Sequence, residues 1–121
     1  MPKVALIEDD ATMLSLLGTL LEFEGFQVAQ LNGANHLNET LESLHREKPQ
    51  IILLDVHVPA FSSFDLVRRL REDQRLKSIR VLMSSGMELS DQCLNAGADG
   101  FLLKPYMPDE LIGKIRKILE I

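Results

Sequence analysis

Cysteine is nearly absent: Cys93 is the single one in 121 residues. That excludes an internal disulfide framework and a cysteine-based zinc site. Long apolar runs are missing too. Ile51-Ile52-Leu53-Leu54 is typical of those present and is far too short to span a bilayer. Met1-Pro2-Lys3-Val4 has none of the architecture of a secretory signal peptide. There is no excess of positive charge. Against 18 Asp and Glu stand 13 Lys and Arg, a net charge of −5, which argues against a broad nucleic-acid surface. No low-complexity linker or internal repeat interrupts the chain. What is present is ordinary globular material, 45% apolar and 26% charged. A chain of this length makes one domain, residues 1–121, and buries roughly two-thirds of its unfolded surface. The expectation is a small, soluble, cytoplasmic domain with no membrane segment and no direct nucleic-acid contact.

Short apolar runs alternate with longer amphipathic stretches. Val4 to Ile7 reads as a strand buried on both faces. Ala11 to Glu24 sets Met13, Leu14, Leu17, Leu20 and Leu21 at helical spacing, and Gly25 is placed to end that helix. Phe26 to Leu31 is a more polar second strand, suited to a sheet edge. Ala34 to Lys48 aligns Ala34, Leu37, Leu41 and Leu44 on one helical stripe, and Pro49 stops it. Ile51 to Val56 is the third strand, and Phe64 to Arg75 a partly exposed helix carrying Leu66, Val67 and Leu70. Arg80 to Met83 is the fourth strand, and Glu88 to Ala96 a short helix closed by Gly97. Phe101 to Leu103 is the fifth strand, and Leu111, Ile112, Ile115, Ile118 and Leu119 stripe a last helix. Five strand-then-helix units predict an α/β fold: a doubly wound five-stranded parallel sheet covered by helices on both faces.

Such sheets bind ligands beyond the carboxyl ends of their strands, at a topological switch point. Glu8, Asp9 and Asp10 follow the first strand, and Asp55 ends the third. Ser84, Ser85 and Gly86 follow the fourth, and Lys104-Pro105 the fifth. These ends share one edge of a parallel sheet, so carboxylates, a hydroxyl and an amine converge there. Crowded carboxylates raise one another's pKa and call for a cation. A hard oxygen donor set suits Mg²⁺. Such a cluster facing a hydroxyl and a lysine fits phosphoryl chemistry, with a carboxylate able to accept the group as an acyl phosphate. Taken alone, each piece has a plainer reading. The three acids could be a solvated helix N-terminus, Asp55 a turn residue, Ser85-Gly86 a loop and Lys104-Pro105 a surface turn. Their coincidence on four strand ends carries the argument.

The sequence resembles the receiver domain of two-component response regulators over essentially its whole length. The resemblance rests on Val-Ala-Leu-Ile-Glu-Asp-Asp (4–10), Ile-Ile-Leu-Leu-Asp-Val-His-Val-Pro (51–59), Val-Leu-Met-Ser-Ser-Gly (81–86) and Ala-Gly-Ala-Asp-Gly-Phe-Leu-Leu-Lys-Pro (96–105). It implies a flavodoxin-like three-layer sandwich and a set of roles. Asp55 is the phospho-acceptor. Asp9 coordinates Mg²⁺ directly, Glu8 helps through water, and the backbone carbonyl of His57 completes the ligands along with Asp55. Ser85 is the switch hydroxyl that moves onto the phosphoryl group, Lys104 pairs with that group, and Phe101 is the switch aromatic, turning inward as Ser85 moves. A cis Lys104-Pro105 bond is implied as well. The implied donor is a sensor histidine kinase or histidine phosphotransfer protein. The implied readout is a downstream effector domain or protein, engaged through the face of the fourth helix, fifth strand and fifth helix, which is also a homodimer face. The chain reads either as a single-domain regulator or as the N-terminal receiver of a longer one.

Several positions depart from the family pattern. The loop after Asp55 usually carries two glycines, and here reads Pro59-Ala60-Phe61-Ser62-Ser63. Such a turn either avoids positive φ or accepts strain. One expectation is a shifted helix start with Ser62 or Ser63 as N-cap; the other is an exposed Phe61 open to a partner. His57 and Met87, two positions past Asp55 and Ser85, sit where the family tunes water access, and their bulk predicts a long-lived phosphoryl state. Phe101 replaces the more frequent tyrosine and loses its hydroxyl. Cys93 is expected to pack as a small apolar group, and His36 and His45 as plain surface residues. Three other functions remain to be weighed. Glu8-Asp9-Asp10-Ala11-Thr12 faintly matches the acid-x-acid-x-Thr nucleophile motif of haloacid-dehalogenase-type phosphatases, but begins with Glu. An FMN module needs a Gly- and hydroxyl-rich loop after the first strand, where acids stand instead. A phosphorylation-independent docking module would not need the intact Glu8, Asp9, Asp55, Ser85 and Lys104.

Overall fold

The computed structural model describes residues 1–32 and 36–121. Ten elements alternate along the chain. They are β1 (Lys3–Glu8), α1 (Ala11–Phe23), β2 (Gln27–Asn32), α2 (Leu37–Glu47), β3 (Ile51–Asp55), α3 (Ser63–Glu72), β4 (Arg80–Ser85), α4 (Ser90–Ala96), β5 (Gly100–Leu103) and α5 (Pro108–Leu119). The strands form one sheet in the order β2-β1-β3-β4-β5, and every neighbouring pair is parallel. The strand order reverses between β1 and β3, which makes that gap the switch point where a ligand crevice opens.

The apolar runs are continuous because both faces of the sheet are covered. Alternate side chains of β3 enter different cores, as the two-residue pleat requires. Ile52 and Leu54 join Leu41, Leu44, Leu66, Val67, Leu70 and Cys93 under α2, α3 and α4. Ile51 and Leu53 join Leu17, Leu21, Leu111, Ile112 and Ile115 under α1 and α5. The three-layer sandwich expected from the alternation is what forms. Edge strand β2 is the more polar one, with Gln27 and Gln30 exposed.

Several boundaries differ from the sequence expectation, each for a local reason. Helix α2 begins at Leu37, and Ala34 of its expected stripe lies outside the described residues. Helix α3 stops at Glu72, short of Arg75, because Asp73 turns extended and its side chain accepts from the Arg75 N–H at 2.8 Å. Helix α4 begins at Ser90 because Glu88 first accepts from the Ser90 N–H, at 3.0 Å, and from its hydroxyl. Gly97 closes α4 with φ +114, a conformation that side chains with a Cβ resist. The turn at 59–63 avoids positive φ: among the described residues only Lys48 and Glu120 adopt it without being glycine. Ser62 is the N-cap of α3, its Oγ accepting from the Asp65 N–H at 3.3 Å. Phe61 packs partly buried against the core instead of standing exposed.

Arg71 of α3 binds the far side of the fold together. Its Nε donates to the Gly97 carbonyl at 2.9 Å, Nη1 to the carbonyls of Lys77 and Ile79 at 2.9 and 2.7 Å, and Nη2 to Asp99 at 2.9 Å. Asp99 in turn accepts from the Val81 N–H at 2.7 Å. Among the described residues no helix is long and apolar enough to cross a membrane.

Candidate functional site

The sheet register assembles the site. Ile7 of β1 lies beside Leu54 of β3, so Glu8 and Asp55 emerge together across the switch point. Asp55 pairs with Ser84, and Ser85 with Leu103, which carries the chain to Lys104. The Lys104 N–H donates to the Ser85 carbonyl at 2.8 Å and seats the lysine at this edge. The Lys104-Pro105 bond is cis.

Lys104 Nζ donates to Asp55 Oδ2 at 3.1 Å and to Glu8 Oε2 at 3.3 Å. The other Asp55 oxygen, Oδ1, accepts from the His57 N–H at 2.9 Å. Glu8 and Asp55 are nearly sealed from solvent, at 7% and 8% exposure, whereas Asp9 is open. One oxygen from each of Glu8, Asp9 and Asp55 can lie within 4.8 Å of the others. Three hard oxygen donors so close, with excess negative charge, fit a divalent cation such as Mg²⁺.

The electrostatics follow from burial and partners. Burial pushes Glu8 above its ordinary pKa, against the Asp10 N–H, and the Asp55 charge adds to the rise. Burial would raise Asp55 too, but the His57 N–H and the Lys104 hydrogen bond and charge outweigh it and hold Asp55 low. Burial would lower Lys104, yet its two carboxylate partners keep it above its ordinary value. Asp55 is thus held as a carboxylate beside the Lys104 ammonium.

The three consecutive acids divide into separate tasks. Glu8 is buried against Lys104, Asp9 faces out beside it, and Asp10 leaves the site to cap α1. Asp10 Oδ1 accepts from the Thr12 and Met13 N–H groups at 2.9 and 3.1 Å. The acid-x-acid-x-Thr pattern is therefore a helix cap in this chain, not a nucleophile loop. Ser85 is fully buried, and its Oγ accepts from the Met87 N–H at 3.0 Å. Phe101 is buried in the core, while Met87 is largely exposed.

Three contacts had no clear signal in the sequence. His57 Nε2 lies 3.0 Å from Ser85 Oγ. Ser63 Oγ donates to the Asp55 carbonyl at 2.7 Å, tying the start of α3 to the end of β3. Tyr106 stands half-buried beside the site, its phenol pushed above the ordinary pKa by burial. It also lines an apolar groove of about 690 Å³ with Leu16, Leu20 and Pro105. A hint of that groove was legible: α1 carries more leucines than one buried face can use. His45 is not the plain surface residue expected, since its Nε2 lies 3.1 Å from Asp73 Oδ2. His36 is exposed at the N-cap of α2. Cys93 is buried as expected, its thiol pushed up to about 11 by burial.

The family profile for the response regulator receiver domain matches residues 4–116. The chain belongs to the response regulator receiver family. Relatives agree with the profile. The transcriptional regulatory protein CpxR of Klebsiella pneumoniae is 36% identical over 120 residues, covering 98% of this chain and 50% of CpxR. The DNA-binding dual master transcriptional regulator RpaA of Synechocystis is 31% identical over 122 residues, covering 98% and 49%. This receiver therefore spans about half the length of those curated relatives. Its fold matches chemotaxis response regulator CheY4 of Vibrio cholerae (TM-score 0.84, 24% identity, 98% of both chains). It also matches the receiver domain of the Pseudomonas aeruginosa sensor kinase PA1611, solved with magnesium in its active-site cleft (TM-score 0.85, 20% identity, 99% and 98%). As a receiver domain, the chain is of the class that works as a phosphorylation-activated switch in two-component signalling.

Proposed function

We propose that Asp55 is the phosphoryl acceptor of this receiver. The observation that carries the reading is the environment of its carboxylate: ionised and buried, with Lys104 Nζ on one oxygen and the His57 N–H on the other. An Asp55 oxygen attacks the phosphorus of a phosphohistidine on a sensor kinase or phosphotransfer protein. The new P–O bond makes an acyl phosphate, the P–N bond breaks, and the imidazole nitrogen departs with the pair and takes up a proton. Lys104 neutralises charge gathering on the transferring oxygens, and the burial of Asp55 strengthens that attraction.

Glu8, Asp9, Asp55 and the His57 carbonyl would hold Mg²⁺, which supplies further charge neutralisation when bound. The donor chemistry of the three acids and the magnesium in the PA1611 cleft support that set. Ser85 is the hydroxyl that moves onto the phosphoryl group, with Phe101 as the aromatic that responds. His57 and Met87 flank the path by which water would reach it. The altered surface is α4-β5-α5, where Leu94 and Leu103 are exposed and which also serves as a homodimer face. Transcriptional control, the role in the names of CpxR and RpaA, is the output this reading favours. A low-molecular-weight phosphodonor with Mg²⁺ tests the acceptor: intact-mass analysis should gain one phosphoryl group that Asp55→Asn loses. Retention of the adduct in Asp55→Asn would move the acceptor elsewhere.

A further inference from the structure

Among the described residues, the one polar contact of the His57 ring is with the residue that must move. Its Nε2 lies 3.0 Å from Ser85 Oγ, and the same oxygen accepts from the Met87 N–H at 3.0 Å. A hydroxyl has one proton and two lone pairs. Whichever ring nitrogen carries the proton, the imidazole claims either the hydroxyl proton or a lone pair, so Oγ is tied at two points. A histidine paired with a serine elsewhere activates a nucleophile. Here the hydroxyl is fully buried at rest and held from two sides, so the contact fixes the side chain in place. The ring itself reaches in from an exposed position on the loop after β3.

We propose that His57 is a positioning residue that latches Ser85 in its resting rotamer, so that a phosphoryl group on Asp55 must displace the imidazole before it gains the hydroxyl. The proposal rests on the reading of Asp55 as acceptor and Ser85 as switch. His57 is joined to both ends of that change: its N–H donates to Asp55 Oδ1, and its ring meets Ser85. The latch sets how far the equilibrium moves for a given phosphoryl occupancy. That is a different effect from shielding the acyl phosphate against water, which alters lifetime and leaves the resting rotamer alone.

The test uses beryllofluoride with Mg²⁺ in place of a phosphoryl group, titrated calorimetrically. His57→Ala should bind it about threefold to tenfold more tightly than wild type, the worth of one neutral hydrogen bond. His57→Gln, whose amide can still reach Ser85, should fall closer to wild type. The tightening should vanish in a Ser85→Ala background, because the cycle isolates the pair. Without any ligand, side-chain couplings should report a single Ser85 rotamer in wild type and averaging in His57→Ala. Equal affinity for wild type and His57→Ala, tightening that persists without Ser85, or an averaged rotamer in wild type would each overturn the latch. Failure of wild type itself to bind, with Asp55→Asn no different, would instead overturn the acceptor reading beneath it.

Discussion

Lys104 and Asp55, 49 residues apart in the chain, meet at 3.1 Å, and the same ammonium holds Glu8 at 3.3 Å. One cation therefore offsets two nearly buried carboxylates. Lys104→Met should leave them facing each other with backbone N–H partners but no counter-charge, and lower stability by about 1–3 kcal/mol, measured by urea denaturation. Phosphorylation from a small donor should slow about a hundredfold, as expected when one preorganised charge at the reacting oxygens is lost. Unchanged phosphorylation kinetics would remove Lys104 from the reaction.

The two acids titrate in opposite directions. Asp55 is held below its ordinary 3.8, so its contribution to stability is present above that value and is lost as pH falls through its depressed folded pKa. Glu8 is raised above its ordinary 4.5, so its contribution is present below that value and is lost as pH rises through its raised folded pKa. Without divalent cation the protein should therefore lose some stability as Glu8 ionises. Glu8→Gln should melt higher than wild type at neutral pH in chelator and lose part of the Mg²⁺-induced rise in melting temperature. A wild type whose melting temperature ignores Mg²⁺ at neutral pH would contradict the metal reading.

The bulk of His57 and Met87 bears on lifetime. Phosphorylated wild-type protein in Mg²⁺ should decay several-fold more slowly than a His57→Asn/Met87→Glu variant, followed by intact mass over time. Equal decay would show that neither side chain obstructs the water.

Arg71 links α3 to the end of α4 and the start of β5 through carbonyls and Asp99. Arg71→Ala should cost about 2 kcal/mol in urea denaturation, because half-buried acceptors lose a charged donor. Arg71→Lys should recover little, since an ammonium cannot reproduce the planar fork. Hydrogen exchange in α4 should rise in both variants.

Gly97 and Gly86 make an internal contrast. Gly97 has φ +114, and a Cβ there would stand 3.0 Å from Arg71 Cγ, whereas a Cβ on Gly86 would meet nothing within 4 Å. Gly97→Ala should destabilise by about 1–2 kcal/mol through backbone strain. Gly86→Ala should be nearly neutral by the same thermal melt.

Much of this receiver is legible in one dimension because its determinants are local or periodic. The run Ile51–Leu54 announces a strand with both faces covered, and the structure sends its residues alternately into two cores. Asp55 and Lys104 stand out because strand ends in a parallel sheet share an edge whatever the loops do. Tertiary packing decided what no spacing encodes. Glu8, Asp9 and Asp10 look alike as letters, yet Glu8 ends the strand and is buried on Lys104, Asp9 faces solvent in the turn that follows, and Asp10 caps α1. The His57–Ser85 contact, the Ser63 bond to the Asp55 carbonyl and the seat of Tyr106 join residues whose rotamers are chosen by three-dimensional neighbours. Chain pattern determines which backbone segments adjoin; only the folded packing determines which atoms on them touch.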